Sequence, residues 1–276
     1  MMVLVIEPWR ESLRKSIVKM ENPYWSNKEL EQILLKVIGN YAKEYSYRNH
    51  DVIHTTLSGG IDSSLCLAMI RKVLVEKAEI HTYTIGGNSQ HPDLIFAKKV
   101  AKEFKTVHHS FIPTKRMIDA ARMKLMSMFP NISEKQIQDS LGVYLIYDAI
   151  SQSVFPCSFV LAHDGIDELL GGYWSHKATD DLRKKKAAFR HFWRRLYPDH
   201  LAFLLQIARS RGLNVELPYM DPEIVEYISH IPVQDRTSHD ISKIPLRKIA
   251  ENYLPKEIIE RRKLGFCDVV KKEVSR

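Results

Sequence analysis

Val52-Ile53-His54-Thr55-Thr56-Leu57-Ser58-Gly59-Gly60-Ile61-Asp62-Ser63-Ser64 decides the architecture of this chain. The β-forming run predicts a strand near residues 52–57, Gly59-Gly60 a tight turn, and the apolar-periodic segment opened by Asp62 a helix over about 62–76. Such a turn leaves backbone N–H groups and the hydroxyls of Ser58, Ser63 and Ser64 uncovered, with the positive end of a helix dipole behind them. A place of that kind binds phosphate. Ser63 and Ser64 can also act as helix caps. Asp62 has a use beyond capping, because a carboxylate beside a polyphosphate commonly holds Mg²⁺.

Two commoner glycine loops are excluded. No Lys-Ser/Thr pair follows the turn, as a Walker A loop needs, and no third glycine completes a dinucleotide fingerprint. The stretch from Ser58 to Ser64 resembles instead the SGGxDS loop of the PP-loop ATP pyrophosphatases. That resemblance implies cleavage of ATP to AMP and pyrophosphate.

With 276 residues and 45% apolar content, the chain can bury a substantial core as one domain, or one domain with a helical appendage. No apolar run approaches the length of a membrane span. The start, Met1-Met2-Val3-Leu4-Val5-Ile6, lacks the basic leader and apolar length of a signal peptide, so a cytoplasmic location is expected. Cys66, Cys157 and Cys267 have the spacing of neither a disulfide framework nor a zinc or iron–sulfur site. Cys66 reads as a small buried hydrophobe in the helix after the glycine loop.

Lys+Arg 41 against Asp+Glu 33 gives a net charge of +8, which suits polyanionic ligands, ATP and pyrophosphate included. The densest patch, Arg183-Lys184-Lys185-Lys186 with Arg190, Arg194 and Arg195, reads as a solvated helix face. No aromatic stacking motif for RNA accompanies it, and nucleic acid is not the expected partner.

Residues 1–25 have an irregular pattern. Ser26-Asn27-Lys28-Glu29 is a capping box, and Leu30, Ile33, Leu34, Val37 and Ile38 form the helical stripe behind it. After the opening strand and helix, 79–85 reads as a second strand stopped by Gly86-Gly87, about 92–104 as a helix, and 107–112 as a third strand. From 114 to about 155 the pattern is helical, with Pro130 separating two pieces, and 159–163 is a fourth short strand. The remainder reads as mostly helical, punctuated by Pro198, Pro218, Pro222, Pro232 and Pro255. The expected fold class is α/β: a parallel sheet of about five strands with flanking helices and right-handed crossovers. The expected division is an α/β nucleotide-binding half over 26–172 and a mostly helical half over 173–276. In such sheets ligands gather beyond the C-terminal strand ends.

The fourth strand delivers Asp164, Asp167 and Glu168. Acidic clusters are often only solvated helix starts. This one, however, is expected on the same sheet edge as Asp62. Two carboxylates facing one polyphosphate make a Mg²⁺ site that also neutralises the leaving group.

His163 to Tyr173, HDGIDELLGGY, is similar to the SGEGSDELFGGY segment of asparagine synthetases and their relatives, the β-lactam and carbapenam synthetases. Further matches follow in order. TYTIGGNSQHPDLIFAKKVAKEFKTVHHSF (82–111) resembles that family's second strand, helix and third strand. LPYMDPEIVEYISHIP (217–232) resembles its PFLD segment, SKIPLRKIAENYLP (242–255) its KxxLR helix, and RRKLGF (261–266) its RPKxGF turn. The likeness covers roughly residues 30–268.

This resemblance implies an AMP-forming amide ligase that uses ATP and Mg²⁺, and a PP-loop fold of the adenine nucleotide alpha hydrolase type. By position, Ser58, Gly59, Gly60, Asp62, Ser63 and Ser64 would cradle the pyrophosphate, with Asp62 and Asp167 on magnesium. Lys243 would stabilise charge at the α-phosphate, and Asp164 and Asp167 would join it in the catalytic set. Arg262 and Lys263 would close on the phosphate side. Leu57, Ile85 and Gly86 would flank the adenosine, and Gly165 would join the nucleotide-binding set. A substrate carboxylate, by default that of aspartate, would attack the α-phosphorus, and ammonia or an amine would then displace AMP. That chemistry calls for positioning and electrostatics rather than a protein nucleophile.

The match departs from the family in three places. The family's glutaminase domain is not represented and position 2 is Met2 rather than cysteine, so free ammonia or a separate glutaminase subunit is expected to supply nitrogen. Ala162-His163-Asp164 replaces Ser-Gly-Glu, and His163 would either crowd the acceptor pocket or simply pack. Glu216 stands where the family has arginine, a reversal that could alter the acceptor site. Another acid substrate therefore stays open, as do a tRNA- or base-modifying PP-loop enzyme and the synthetase subunit of a two-component amidotransferase. A homodimer is a further expectation.

Overall fold

Ser26 opens the first long helix as its sequence predicts, its Oγ accepting from the Glu29 N–H at 3.2 Å. The computed structural model describes residues 9–48, 51–74, 78–153 and 158–261. In chain order, helix α1 (Trp9–Ser12) and helix α2 (Asn27–Arg48) precede strand β1 (Val52–Thr56), helix α3 (Ile61–Leu74), strand β2 (Glu79–Ile85), helix α4 (Pro92–Glu103) and strand β3 (Val107–Phe111). Helices α5 (Lys115–Met128) and α6 (Glu134–Ser151) lead to strand β4 (Phe159–Leu161). Then come α7 (Ile166–Leu170), α8 (Trp174–Lys177), α9 (Leu182–Leu196), a π-helical turn (Tyr197–Leu201), α10 (Ala202–Ser210) and strand β5 (Asn214–Glu216). A 3₁₀ turn (Pro218–Met220), α11 (Pro222–Ser229), α12 (Val233–Arg236), α13 (Ile244–Ala250) and α14 (Lys256–Ile259) follow.

The five strands form one parallel sheet in the order β3-β2-β1-β4-β5. Strand β5 emerges from a stretch read as helical. It is three residues long and too short for a periodic signal. The first two crossovers run one way from β1 and the later ones run the other way. The order therefore reverses between β1 and β4, and in open parallel sheets the ligand crevice lies at such a point. The glycine turn leaves β1 on one side of that crevice and the acidic loop leaves β4 on the other.

The sheet core is apolar on both faces, with Ile53, Ile80, Val160 and Val215 each 2% exposed or less. Polar side chains inside it are hydrogen-bonded. His54 Nδ1 meets the Tyr83 hydroxyl at 2.9 Å, and His81 Nδ1 meets His109 Nε2 at 2.9 Å. Cys66 is fully buried in α3, and burial pushes its thiol pKa well up. Among the described residues, no helix is long and apolar enough to cross a membrane.

Candidate active site

The glycine turn is folded around its own hydroxyls. The Ser58 N–H donates to Ser63 Oγ at 3.2 Å, the Gly60 N–H to Ser58 Oγ at 3.3 Å, and Ser63 Oγ to the Gly60 carbonyl at 3.3 Å. Gly59 has φ +68°, and a side chain there would run into the backbone of Phe96 and Ala97 in α4, so only glycine fits. The N–H groups of the first turn of α3 have no carbonyl of their own helix to bond, and they open at this loop. Ser64 is fully buried in α3, its Oγ without a hydrogen-bond partner among the described residues. Leu57 and Ile85 are buried at the ends of β1 and β2, and the Gly86 N–H donates to the Phe111 carbonyl at 3.0 Å, extending the ladder.

Across the crevice, Gly165 (φ +93°) and Gly171 (φ +79°) bound α7, a single turn held between two left-handed residues. The Asp167 carbonyl accepts from the N–H groups of Gly171 at 2.9 Å and Gly172 at 2.8 Å, which fixes where its side chain starts. Lys243 approaches from the N-cap of α13 in the left-handed region (φ +54°), and its own N–H donates to the Leu170 carbonyl at 3.2 Å. A non-glycine residue held there costs roughly 1–2 kcal/mol, and such local strain persists where the surrounding structure enforces it.

The three parts meet at one ammonium. Lys243 Nζ lies 2.6 and 2.7 Å from the two carboxylate oxygens of Asp62 and 2.5 Å from Asp167 Oδ1. The lysine side chain is only 3% exposed. Two carboxylates around one ammonium leave a buried excess of one negative charge, a place that favours a further cation. The donor set is oxygen only. Among the described residues, no group of three or more His, Cys, Asp or Glu side chains could cage a metal. That pattern fits Mg²⁺, which takes one or two carboxylates and completes its shell with phosphates and water.

Beside this centre lies a second polar cluster. Glu168 is buried and accepts from the Tyr173 hydroxyl at 2.7 Å. Burial, reinforced by neighbouring Asp167, raises its pKa to about 7. Asp164 Oδ1 lies 2.5 Å from His200 Nε2, a contact between the β4 loop and the π-helical turn.

Three residues here escape motif reading. Tyr219, fully buried, donates its hydroxyl to the Asp62 carbonyl at 2.9 Å and so anchors the start of α3. Arg261 donates to the Ser58 carbonyl at 2.6 Å, pairs with Asp93 and stacks over Phe96. It is the first residue of RRKLGF, whereas the family resemblance points to the next two. Arg262 and Lys263 lie outside the described residues. His200 carries no local signal at all, because the turn that brings it to Asp164 follows a whole intervening helix.

The two unusual family positions do not point into an open pocket. His163 Nε2 lies 2.9 Å from the Thr56 carbonyl and 3.0 Å from Thr55 Oγ1, tying the ends of β4 and β1 together. Glu216 is 1% exposed and hydrogen-bonds Tyr45 of α2, so its charge faces the helix layer and not the crevice. The basic patch is likewise divided. Lys185 is buried and donates to the Thr237 carbonyl at 3.1 Å, Lys186 pairs with Glu21 at 2.7 Å, and Arg195 pairs with Asp199.

A parallel sheet whose first turn is SGGxDS, faced by an acidic loop at the strand-order reversal, defines an α/β fold of the PP-loop kind. The asparagine synthase family model matches residues 48–205 and 186–276, and the chain belongs to that family. It is 30% identical over 242 residues to the glutamine-hydrolysing asparagine synthetase of Gallus gallus, and 28% identical over 241 residues to that of Homo sapiens. Each match covers 85% of this chain but 42% of the relative, so the chain spans less than half the length of these relatives. Among solved structures it is similar to an NAD⁺ synthetase from Burkholderia pseudomallei (14% identity, 88% of this chain and 92% of the other, TM-score 0.38). It is also similar to an ammonia-dependent NAD synthetase from Campylobacter jejuni (20% identity, 54% and 61%, TM-score 0.37).

Proposed function

We propose that the protein is an ATP-dependent, AMP-forming amide ligase. It adenylates a carboxylic acid, by default aspartate to give asparagine, and lets ammonia or an amine displace AMP. The observation that carries this reading is the Lys243 ammonium held between Asp62 and Asp167 where the sheet order reverses. Neither a nucleophilic serine nor a cysteine is called for by an attack that the substrate's own carboxylate makes on phosphorus.

In this reading the turn from Ser58 to Ser64 holds the β- and γ-phosphates against the N-terminus of α3. Asp62 and Asp167 would hold Mg²⁺, which supplies charge neutralisation for the departing pyrophosphate. Lys243 Nζ stabilises the charge that builds on the α-phosphate oxygens as the acid's oxygen approaches in line. Leu57, Ile85 and Gly86 form the apolar edge on which the nucleoside rests, and Arg261, with Arg262 and Lys263 beside it in sequence, secures the phosphate loop. A separate subunit as ammonia source, a homodimeric assembly, a cytoplasmic setting and a place in asparagine biosynthesis belong to the same proposal.

The test is product analysis. Protein incubated with ATP, Mg²⁺, ammonium chloride and aspartate is expected to yield AMP, pyrophosphate and asparagine in equal amounts. If AMP forms with another carboxylic acid and not with aspartate, the asparagine assignment fails and the ligase stands. ADP as the nucleotide product rules the ligase reading out.

A further inference from the structure

We propose that His200 is the base that takes the proton from the attacking nitrogen, with Asp164 holding the imidazole in place for it. This rests on the adenylation reading and extends it to the second half of the reaction.

When ammonia attacks the acyl-adenylate, the nitrogen lone pair forms the C–N bond and the carbonyl π pair moves onto oxygen. The nitrogen is then cationic and must lose a proton before the intermediate can collapse productively to an amide. On collapse the carbonyl re-forms and the C–O bond to the phosphate breaks, releasing AMP with that electron pair. One proton is left over, and something must accept it. A group titrating near the working pH serves best.

Neither Asp62 nor Asp167 is placed for that role, because both carboxylates are committed to Lys243. Asp164 lies in the loop that leaves β4 for α7, three residues before Asp167 in the sequence. Its Oδ1 is 2.5 Å from His200 Nε2. That contact fixes the tautomer: a proton on Nε2 faces the carboxylate, and Nδ1 is the nitrogen left to accept a second one. This is the division of labour of a carboxylate-oriented histidine base.

The position of the ring is built. His200 sits in a π-helical turn between α9 and α10, and such insertions re-aim side chains and recur at functional sites. Asp199, the adjacent acid, is taken by Arg195, so it does not compete for the ring. The carboxylates whose charge acts on His200 are Asp164 from the β4 loop, in direct contact, with Glu168 from α7 and Asp139 from α6. Burial alone would pull the imidazole down, but these carboxylates outweigh it and leave its pKa above the ordinary histidine value. The side chain is still 36% exposed, so the captured proton has a route to solvent.

The experiment separates the two halves of the reaction in the full chain. With whichever acid supports pyrophosphate exchange into ATP, His200→Gln and Asp164→Asn are compared with wild type in three assays. These are exchange, amide formation from ammonia, and hydroxamate formation from hydroxylamine. Hydroxylamine is a much weaker base, and its adduct surrenders its proton to water without help.

For His200→Gln the expected result is exchange and hydroxamate formation within about threefold of wild type, but amide formation reduced by about 10²–10³-fold. The persisting exchange certifies the fold. For Asp164→Asn the acid limb of the amide-forming pH profile shifts down by about one unit, since the charge that supports the imidazolium is gone. Unchanged amide formation in His200→Gln, or an equal loss in all three assays, overturns the role of His200 while adenylation stands. A wild type that exchanges with no acid overturns the adenylation reading and this inference with it.

Discussion

The two polar clusters at the crevice are built differently. In the cage, Lys243, Asp62 and Asp167 are nearly closed off from solvent, and each is pinned by backbone contacts. Tyr219 holds Asp62, Gly171 and Gly172 hold Asp167, and Leu170 holds Lys243. In the second cluster, Asp164 and His200 are a single, partly exposed pair, delivered by a π-helical turn rather than by a motif. The contrast suits two different tasks. Charge stabilisation on phosphorus gains from a dry, preorganised cage, whereas proton removal needs one group in contact with water.

The largest expected effect comes from breaking the cage. Lys243→Met keeps the volume but leaves Asp62 and Asp167 facing each other without a counter-charge. Pyrophosphate exchange is expected to fall by about 10²–10³-fold. Stability should drop by roughly 3–5 kcal/mol, read as the denaturation midpoint. Added Mg²⁺ should restore part of that stability and none of the exchange. An undiminished exchange rate would show that the lysine is structural only.

Acidification tests two buried histidines outside these clusters, His54 in the sheet and His176 behind the acidic loop. Burial, the first cause for each, holds His54 and His176 near pKa 4 against an ordinary 6.5. Both are therefore neutral in the folded protein, while the unfolded chain takes up protons below 6.5. The stability they contribute is complete above that value and is lost as pH falls towards 4. At pH 5 the loss is about 2 kcal/mol for each residue. Chemical denaturation at pH 7 and pH 5 checks this, and His54→Gln should flatten the difference.

A smaller effect is expected at Gly86, which follows β2. A methyl group at Gly86 would come within 2.7 Å of Leu94 Cγ and 2.8 Å of His91 Cβ. Gly86→Ala should therefore cost roughly 1–3 kcal/mol in stability and raise the KM for ATP more than it lowers kcat. Smallest of all is Glu216→Gln. Its carboxylate faces Tyr45, so acid-dependent exchange is expected to stay within about twofold, with a stability change of about 1 kcal/mol. A change in acid preference on that substitution would return Glu216 to the acceptor site.

Legibility follows the same divide. Strand–turn–helix at Val52–Ser64 and the acidic loop after β4 were readable because their chemistry is local: glycines, a capping acid and an apolar period lie within a few residues. That both land on one crevice followed from the parallel alternation of strands and helices. Strand β5 was not readable because three residues carry no period. Arg261 and His200 were hidden because their partners, Ser58, Asp93 and Asp164, are distant in sequence and meet them only through tertiary packing. Glu216 misled for the opposite reason: its position in the motif suggested the pocket, and its strand register turned it toward α2.

On the proposed function, a carboxylate oxygen attacks the α-phosphorus in the cage of Asp62, Asp167 and Lys243. The most direct measurement follows heavy oxygen from a doubly labelled carboxylic acid through a full turnover with ammonia. One labelled oxygen is predicted to appear in AMP and the other to remain in the amide. Label in inorganic phosphate, or AMP that carries none, would contradict the account.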